Sequence, residues 1–352
     1  MAKPFYYGGQ AVIEGVMMRG RENVAISVRG PDGKLNIAKQ PLPKIFKGRL
    51  REVPVARGVV ILIESLVLGT QALLRSAQIA SAEENERIPA SLLWGTVAAS
   101  IAFAVALFFV APVLTTSYLV DPYISSALVS NLVEGFIRIA IFVAYLVLIG
   151  LIPDIKRVFA YHGAEHKVVN AYEAGSPLEV EAIKDYSTAH ARCGTGFVFI
   201  VLILAIFIFA LLGHPPLWLR ILSRIVLLPV IAALAYEIMR FGASHAKNAV
   251  VHILLVPGLA LQAMTTREPD DGQLEAAISA LNQVIEVDEV VGRYLQYRQL
   301  LQDVFTLCFA EAVRKNDKIS EMAQSLLFHD LHTGPDENSH RLMDGRQPFM
   351  RN

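Results

Sequence analysis

Long apolar runs divide the chain and predict its helices. Residues 92–114 carry no charge over 23 positions. At 1.5 Å per residue, a helix of that length exceeds the roughly 30 Å hydrocarbon core of a bilayer. Three further runs have a similar character: 132–152, 195–213 and 217–237. The pattern therefore predicts a polytopic α-helical membrane protein with about four transmembrane helices.

Two of these runs contain charged residues. Glu134 and Arg138 lie four residues apart in the second run, so they can pair on one helix face. Arg220 and Arg224 occupy the first two turns of the fourth run, and their side chains are expected to extend towards an interface.

The loops between the runs predict the orientation. Residues 115–131 contain no lysine or arginine, whereas residues 153–194 contain five. Because basic residues concentrate in cytoplasmic loops, the 153–194 loop and both termini are predicted to be cytoplasmic. Two weaker apolar stretches, 58–74 and 249–264, are predicted to be interfacial or half-inserted helices. Whether either one crosses the bilayer is left open by the sequence.

The polar segments predict a small β region and C-terminal helices. A Gly-Pro-Asp-Gly turn separates two β-type runs in residues 23–39, which predicts a hairpin, and residues 9–19 are a candidate third strand. Residues 272–286 and 289–314 are predicted to be two amphipathic helices. The predicted divisions are 1–52 (β region), 53–91 (interfacial helix and linker), 92–264 (transmembrane domain), 265–329 (cytoplasmic helices) and 330–352 (mobile tail).

Composition supports the membrane class and excludes others. Hydrophobic residues make up 54% of the chain and charged residues only 18%, against about 25% charged in soluble proteins. The zero net charge and two distant cysteines exclude a highly basic nucleic-acid binder and a disulfide-stapled module. The charge is unevenly distributed: residues 1–91 have 13 basic against 8 acidic residues, and residues 265–352 have 9 against 15.

The 153–194 loop contains the pattern that predicts chemistry. His162 and His166 lie four residues apart with Glu165 beside them, so on a helix the three side chains share one face. In this H-x-x-E-H arrangement two histidines bind Zn²⁺ and the glutamate is the general base. His162 and His166 are therefore predicted metal ligands, with Glu165 as the catalytic residue. The alternative is a pair of surface histidines, because so short a motif also arises by chance.

Several residues could supply a third ligand. His190 is preferred because it is expected at the same membrane face, and Glu237 is preferred as a distal carboxylate at the end of the fourth run. Glu173 and Cys193 are candidate neighbours. The alternatives are an ion pair between Glu237 and Arg240, and a small, buried structural role for Cys193.

The glycine-rich segment 8–20 carries two charges, Glu14 and Arg19. They are either polar groups at the mouth of the metal site or a structural ion pair at a sheet edge, and the structural role is slightly favoured.

Four motifs together resemble the YqhQ-like family: residues 8–20, HGAEHK at 162–167, RCGT at 192–195 and TTREPDD at 265–271. The resemblance covers about residues 5–285. Ala191 stands where the family motif has proline. The resemblance implies a bacterial membrane protein of unknown function that is thought to be a metal-dependent enzyme.

These patterns favour a metal-dependent hydrolase in the bacterial cytoplasmic membrane, with Zn²⁺ as the expected metal. The expected partners are the lipid bilayer and a membrane-associated peptide or lipid-linked substrate, with no nucleic acid. A scaffold that recruits cytoplasmic proteins is the second hypothesis. An ion transporter is less favoured, because the chain has no evident internal repeat. The oligomeric state is not predicted.

Overall fold

The computed structural model describes residues 5–51, 53–81, 89–213, 215–245 and 248–314. The predicted tail at 330–352 lies outside this part of the chain. The strands are β1 Gly8–Val12, β2 Gly15–Arg19, β3 Asn23–Arg29 and β4 Leu35–Pro41. The helices are α1 Ala56–Ala80, α2 Ala90–Val105, α3 Ala111–Leu119, α4 Ala127–Ile149, α5 Pro153–Glu173, α6 Val180–Ile183, α7 Gly194–Ala210, α8 Leu217–Val226, α9 Leu228–Ser244, α10 Ala249–Thr265 and α11 Asp271–Arg314.

The four strands form an antiparallel sheet in the order β1-β2-β3-β4. The predicted hairpin is confirmed as β3 and β4, whereas the single strand expected at residues 9–19 is in fact the β1–β2 hairpin. Its two-residue turn, Ile13-Glu14, places Glu14 at a positive φ of 53°. The sheet therefore has one strand more than the sequence predicts.

Both faces of the sheet are covered, since alternate side chains point to opposite sides. Val16 and Met18 pack against α5 and α11, whereas Met17 between them packs against α1. Strand β3 is nearly continuously buried for the same reason. The sheet thus joins α1 on one side to α5 and α11 on the other.

Three helical segments are long and apolar enough to cross a membrane, namely 56–80, 91–119 and 127–149, and a fourth is counted if α8 and α9 form one span bent by 42°. Helices α7 and α10 are shorter, with 17 residues each. The structure thus has three to four candidate spans against the four predicted, and they are not the same set. The 58–74 stretch, predicted to be an interfacial or half-inserted helix, lies in the 25-residue α1, and its Glu64 is buried against Arg19 and Arg51.

Four charged residues of α4 and α8 form one buried network. Glu134 and Arg138 pair as predicted, with Nη2 2.7 Å from Oε1. The prediction that Arg220 and Arg224 extend to an interface is wrong. Both are almost fully buried and donate to the Glu134 carboxylate. The Phe108 carbonyl, in a π-helical turn between α2 and α3, accepts from Arg138.

The C-terminal region is one helix of 44 residues, α11, rather than the two predicted helices. The break was expected around Asp288. The Asp288 carboxylate instead accepts hydrogen bonds from the backbone N–H groups of Arg21 and Glu22, in the turn between β2 and β3. A residue between the two predicted helices therefore anchors the single helix to the sheet.

Candidate metal centre

Helix α5 carries the H-x-x-E-H motif through the centre of the fold. Pro153 stands at its first turn with Asp154, which suits a helix N-terminus. The helix packs against the sheet and α11, so His166 and Glu165 are only 1% and 5% exposed. The two histidine rings lie side by side, with centroids 4.4 Å apart. The motif is therefore internal and does not form a pair of surface histidines.

Cys193 supplies the third side chain of the cluster. It is the N-cap residue of α7, where its Sγ accepts from the Thr195 N–H at 3.3 Å. Its Sγ also lies 3.3 Å from Nε2 of His162. Among the described residues, His162, His166 and Cys193 form a group whose ligand atoms all lie within 4.8 Å of one another.

Backbone carbonyls orient both imidazole rings. Nδ1 of His162 lies 2.9 Å from the Thr265 carbonyl oxygen, and Nδ1 of His166 lies 2.5 Å from that of Thr188. Because a carbonyl can only accept, each Nδ1 carries a proton. The other nitrogen, Nε2, is thus left for the cluster. Metal-binding histidines are commonly held by such a contact on the far nitrogen.

The electrostatics of the cluster favour a thiolate at Cys193 beside a protonated His166 when no cation is bound. Burial raises the pKa of Cys193, but hydrogen bonds and charge from His162 and His166 outweigh it and lower the pKa to about 5. Burial lowers the pKa of His166, yet the contact with Cys193 and the charge of Glu165 raise it to about 9. A bound divalent cation would take the place of the proton on the imidazole nitrogen and pair with the thiolate.

Glu165 lies beside the cluster and is fixed by strand β1. Its Oε1 accepts from the Gly9 N–H at 2.9 Å, and its Oε2 lies 3.4 Å from Nε2 of His166. A Cβ on Gly9 would come within 2.3 Å of the Met17 carbonyl oxygen and 3.1 Å of the Glu165 side chain. Glycine at position 9 therefore allows the strand to approach this carboxylate.

His190 and Glu173 lie next to the cluster but outside the group of three. The His190 ring centroid is 5.6 Å from that of His166, and its Nε2 is 3.8 Å from the Glu173 carboxylate, which also binds Arg192. Gln262 of α10 holds the His190 backbone by two hydrogen bonds of 2.9 Å each. The structure thus places His190 next to the ligand group rather than within it.

The other predicted site residues have partners elsewhere. Glu237 binds both Arg57 and the Val55 N–H, with Arg57 Nε 2.7 Å from Oε1. Glu14 binds Arg157 at 2.7 and 2.5 Å, whereas Arg19 pairs with Glu64 instead of Glu14. The structure does not bring these three predicted residues into the group of ligand atoms.

Sequence reasoning overlooked the residues that hold the ligands in place. Thr265 begins the TTREPDD motif, and its hydroxyl also lies 3.0 Å from that of Thr195 in the RCGT motif. A Cβ on Gly163 would approach the Arg267 carbonyl oxygen to 2.0 Å, so segment 265–267 lies directly on α5. The separate motifs are thus parts of one site, and their joint occurrence was the available signal.

The fold and this cluster define a mostly helical protein with candidate membrane spans, an N-terminal sheet and a buried histidine–cysteine group. Residues 53–287 match the family described as "Protein of unknown function (DUF1385)". The chain is 32% identical over 301 residues to the uncharacterized protein YqhQ of Bacillus subtilis (strain 168). The aligned region covers 81% of this chain and 94% of that protein. No solved structure matches the chain. The chain belongs to this uncharacterised family, as its resemblance to YqhQ-like proteins predicts.

Proposed function

We propose that the protein is a membrane-embedded, metal-dependent hydrolase whose site lies at the cytoplasmic membrane face. The observation that carries this proposal is the convergence of His162, His166 and Cys193 on one point, with both Nδ1 atoms held by backbone carbonyls. Surface histidines have no need of such orientation, whereas metal ligands commonly have it.

The donor set fits Zn²⁺ better than Mg²⁺ or Ca²⁺. Two imidazoles and a thiolate are ligands of borderline and soft cations, and Mg²⁺ and Ca²⁺ prefer oxygen. Ligand atoms that share a zinc ion lie roughly 3.3–3.6 Å apart, and the Cys193–His162 separation is 3.3 Å. Three protein ligands also leave a fourth position for substrate, as catalytic zinc sites do.

Glu165 is the proposed proton carrier. The Gly9 N–H holds Oε1, so Oε2 is the oxygen that faces the cluster and can take a proton from water and return it to a leaving group. When bound, Zn²⁺ supplies a Lewis acid that polarises the bond to be cleaved. The proposed substrates are a peptide bond near the membrane or a lipid-linked group, since the site adjoins the N-terminus of α7 and the C-terminus of α10, two apolar helices.

The experiment is elemental analysis of the purified full-length chain. Wild-type protein is expected to contain about one zinc per chain. His162→Ala, His166→Ala and Cys193→Ser are each expected to lose most of it, because losing one of three ligands removes a large part of the binding free energy. Equal, substoichiometric metal in all four proteins would contradict the proposal.

Two matched variants make the analysis specific. Glu165→Gln should keep its zinc, because the amide oxygen can still accept from the Gly9 N–H, but it should lose hydrolytic turnover. His245→Ala removes an exposed histidine at the end of α9 and should keep both. If Glu165→Gln cells are indistinguishable from wild type in their membrane peptides and lipid-linked products, the enzymatic part of the proposal is wrong.

Cysteine-based catalysis is a second candidate function. Cys193 stands at a helix N-terminus, 3.3 Å from His162, in the arrangement that activates a thiolate nucleophile. This candidate predicts the opposite result in the elemental analysis, with no zinc in wild type and no change in any variant.

A further inference from the structure

The second half of α11 extends away from the body of the protein. Its first part packs on the sheet and α5 through Leu274, Leu281 and Val284, all of which are buried. From Glu289 to Cys308, where burial is described, no residue is buried. At 1.5 Å per residue this segment is about 30 Å long. Because helices in proteins gain most of their stability from packing an apolar face, this segment is expected to have a partner surface.

The exposed segment carries an apolar stripe with heptad spacing. Its positions alternate by four and three residues without interruption: Val290, Tyr294, Tyr297, Leu301, Val304 and Cys308. This 3.5-residue period is that of a coiled-coil seam. We call these six residues the α11 seam. Gln296, Gln299, Gln302 and Asp303 lie on the other faces of the helix, where Leu295 is an exposed apolar residue among them.

The α11 seam is large enough for a stable interface. Tyr294, Tyr297 and Leu301 are 53%, 68% and 59% exposed, and Leu300 and Leu307 widen the apolar face at its edge. Side chains of these sizes offer on the order of 800 Å² per helix, which is about what each partner contributes to a stable interface. Monomeric proteins rarely expose so large an apolar surface.

We propose that two copies of this chain associate through the α11 seam as a two-stranded coiled coil. A seam with a 3.5-residue period fits a helix of the same period, and a second copy presents the same stripe at the same position. The area that each helix offers is sufficient for that dimer. The proposal is independent of the metal centre, because α11 contacts α5 only through its first half.

Cys308 makes the dimer directly testable. It is an exposed free cysteine on the seam, and the other cysteine of the chain, Cys193, is buried. In a parallel dimer the two Cys308 side chains face each other, whereas in an antiparallel dimer Cys308 faces Val290 of the second copy. Mild oxidation of the full-length protein should therefore give a reducible dimer in wild type if the helices are parallel, and in Val290→Cys if they are antiparallel. Cys308→Ser is the control for the parallel case and should give no such dimer.

The mass of the particle supplies a second measurement. Light scattering of the detergent-purified chain should give a dimer for wild type, while Leu301→Asp should weaken association at least 100-fold and give a monomer. Gln299→Asp adds the same charge on the opposite face and should remain dimeric. Leu301 is exposed, so its substitution does not affect folding of the body. A monomeric wild type, or a dimer that Leu301→Asp leaves unchanged, would overturn the proposal. A monomer is also the result expected if residues 315–352 or another protein cover the seam, so that case overturns it too.

Discussion

Replacing Glu134 with alanine is expected to lower the stability of the protein by about 3–5 kcal/mol. Its carboxylate accepts from Arg138 at 2.7 Å, from Arg220 at 3.0 Å and from Arg224 at 3.0 Å, and all four residues are at most 2% exposed. Without it, Arg220 would keep the partly exposed Asp121, whereas the buried guanidinium groups of Arg138 and Arg224 would lose the carboxylate that they bind. The thermal midpoint of the purified protein should fall by several degrees.

The control for this variant is Glu275→Ala. Glu275 also pairs with an arginine, Arg29, but both side chains are partly exposed, so the expected loss is below about 1 kcal/mol. Equal shifts for Glu134→Ala and Glu275→Ala would mean that the buried network contributes no more than a surface pair.

Gly163→Ala is expected to disrupt the metal centre without touching a ligand. The new Cβ would lie 2.0 Å from the Arg267 carbonyl oxygen, so segment 265–267 must move away from α5. That segment holds His162 through the Thr265 carbonyl. Overpacking of this kind costs about 1–3 kcal/mol, and losing the contact that orients a ligand typically costs 10- to 100-fold in metal affinity. Zinc titration and thermal unfolding measure the two effects.

Gly292→Ala is the matched substitution. Gly292 lies in the interior of α11 with no atom within 4 Å of an added Cβ, and alanine there should stabilise the helix by about 0.5–1 kcal/mol. The two glycine variants should therefore change stability in opposite directions. A Gly163→Ala protein with wild-type zinc affinity would show that segment 265–267 does not position His162.

The sequence predicts the elements of this fold better than their partners. Periodicity and turn residues are local signals, and they identify the β3–β4 hairpin and the helical character of the apolar stretches. Pairing is not local. Arg220 and Arg224 resemble interfacial residues until Glu134 of α4 is placed beside them. Likewise, Glu64 argues against a long apolar helix until Arg19 and Arg51 are placed against it.

The candidate site shows the same limit. The four-residue spacing of His162 and His166 is enough to predict their shared face. For the third ligand, the sequence favours His190 and Glu237 over Cys193, although all three fit the predicted membrane face. The structure separates them: Cys193 caps the helix that begins at the cluster, whereas Glu237 binds Arg57. Only the tertiary contact between α7 and α5 distinguishes these choices.

The most direct test of the account is X-ray absorption at the zinc edge of the full-length protein. We expect one sulfur at about 2.3 Å and nitrogen or oxygen at about 2.0–2.1 Å, with the sulfur absent from the zinc that Cys193→Ser still binds and present in Cys308→Ser. A zinc environment without sulfur in wild type, or one that Cys193→Ser does not change, would contradict the assignment of His162, His166 and Cys193 as a metal site.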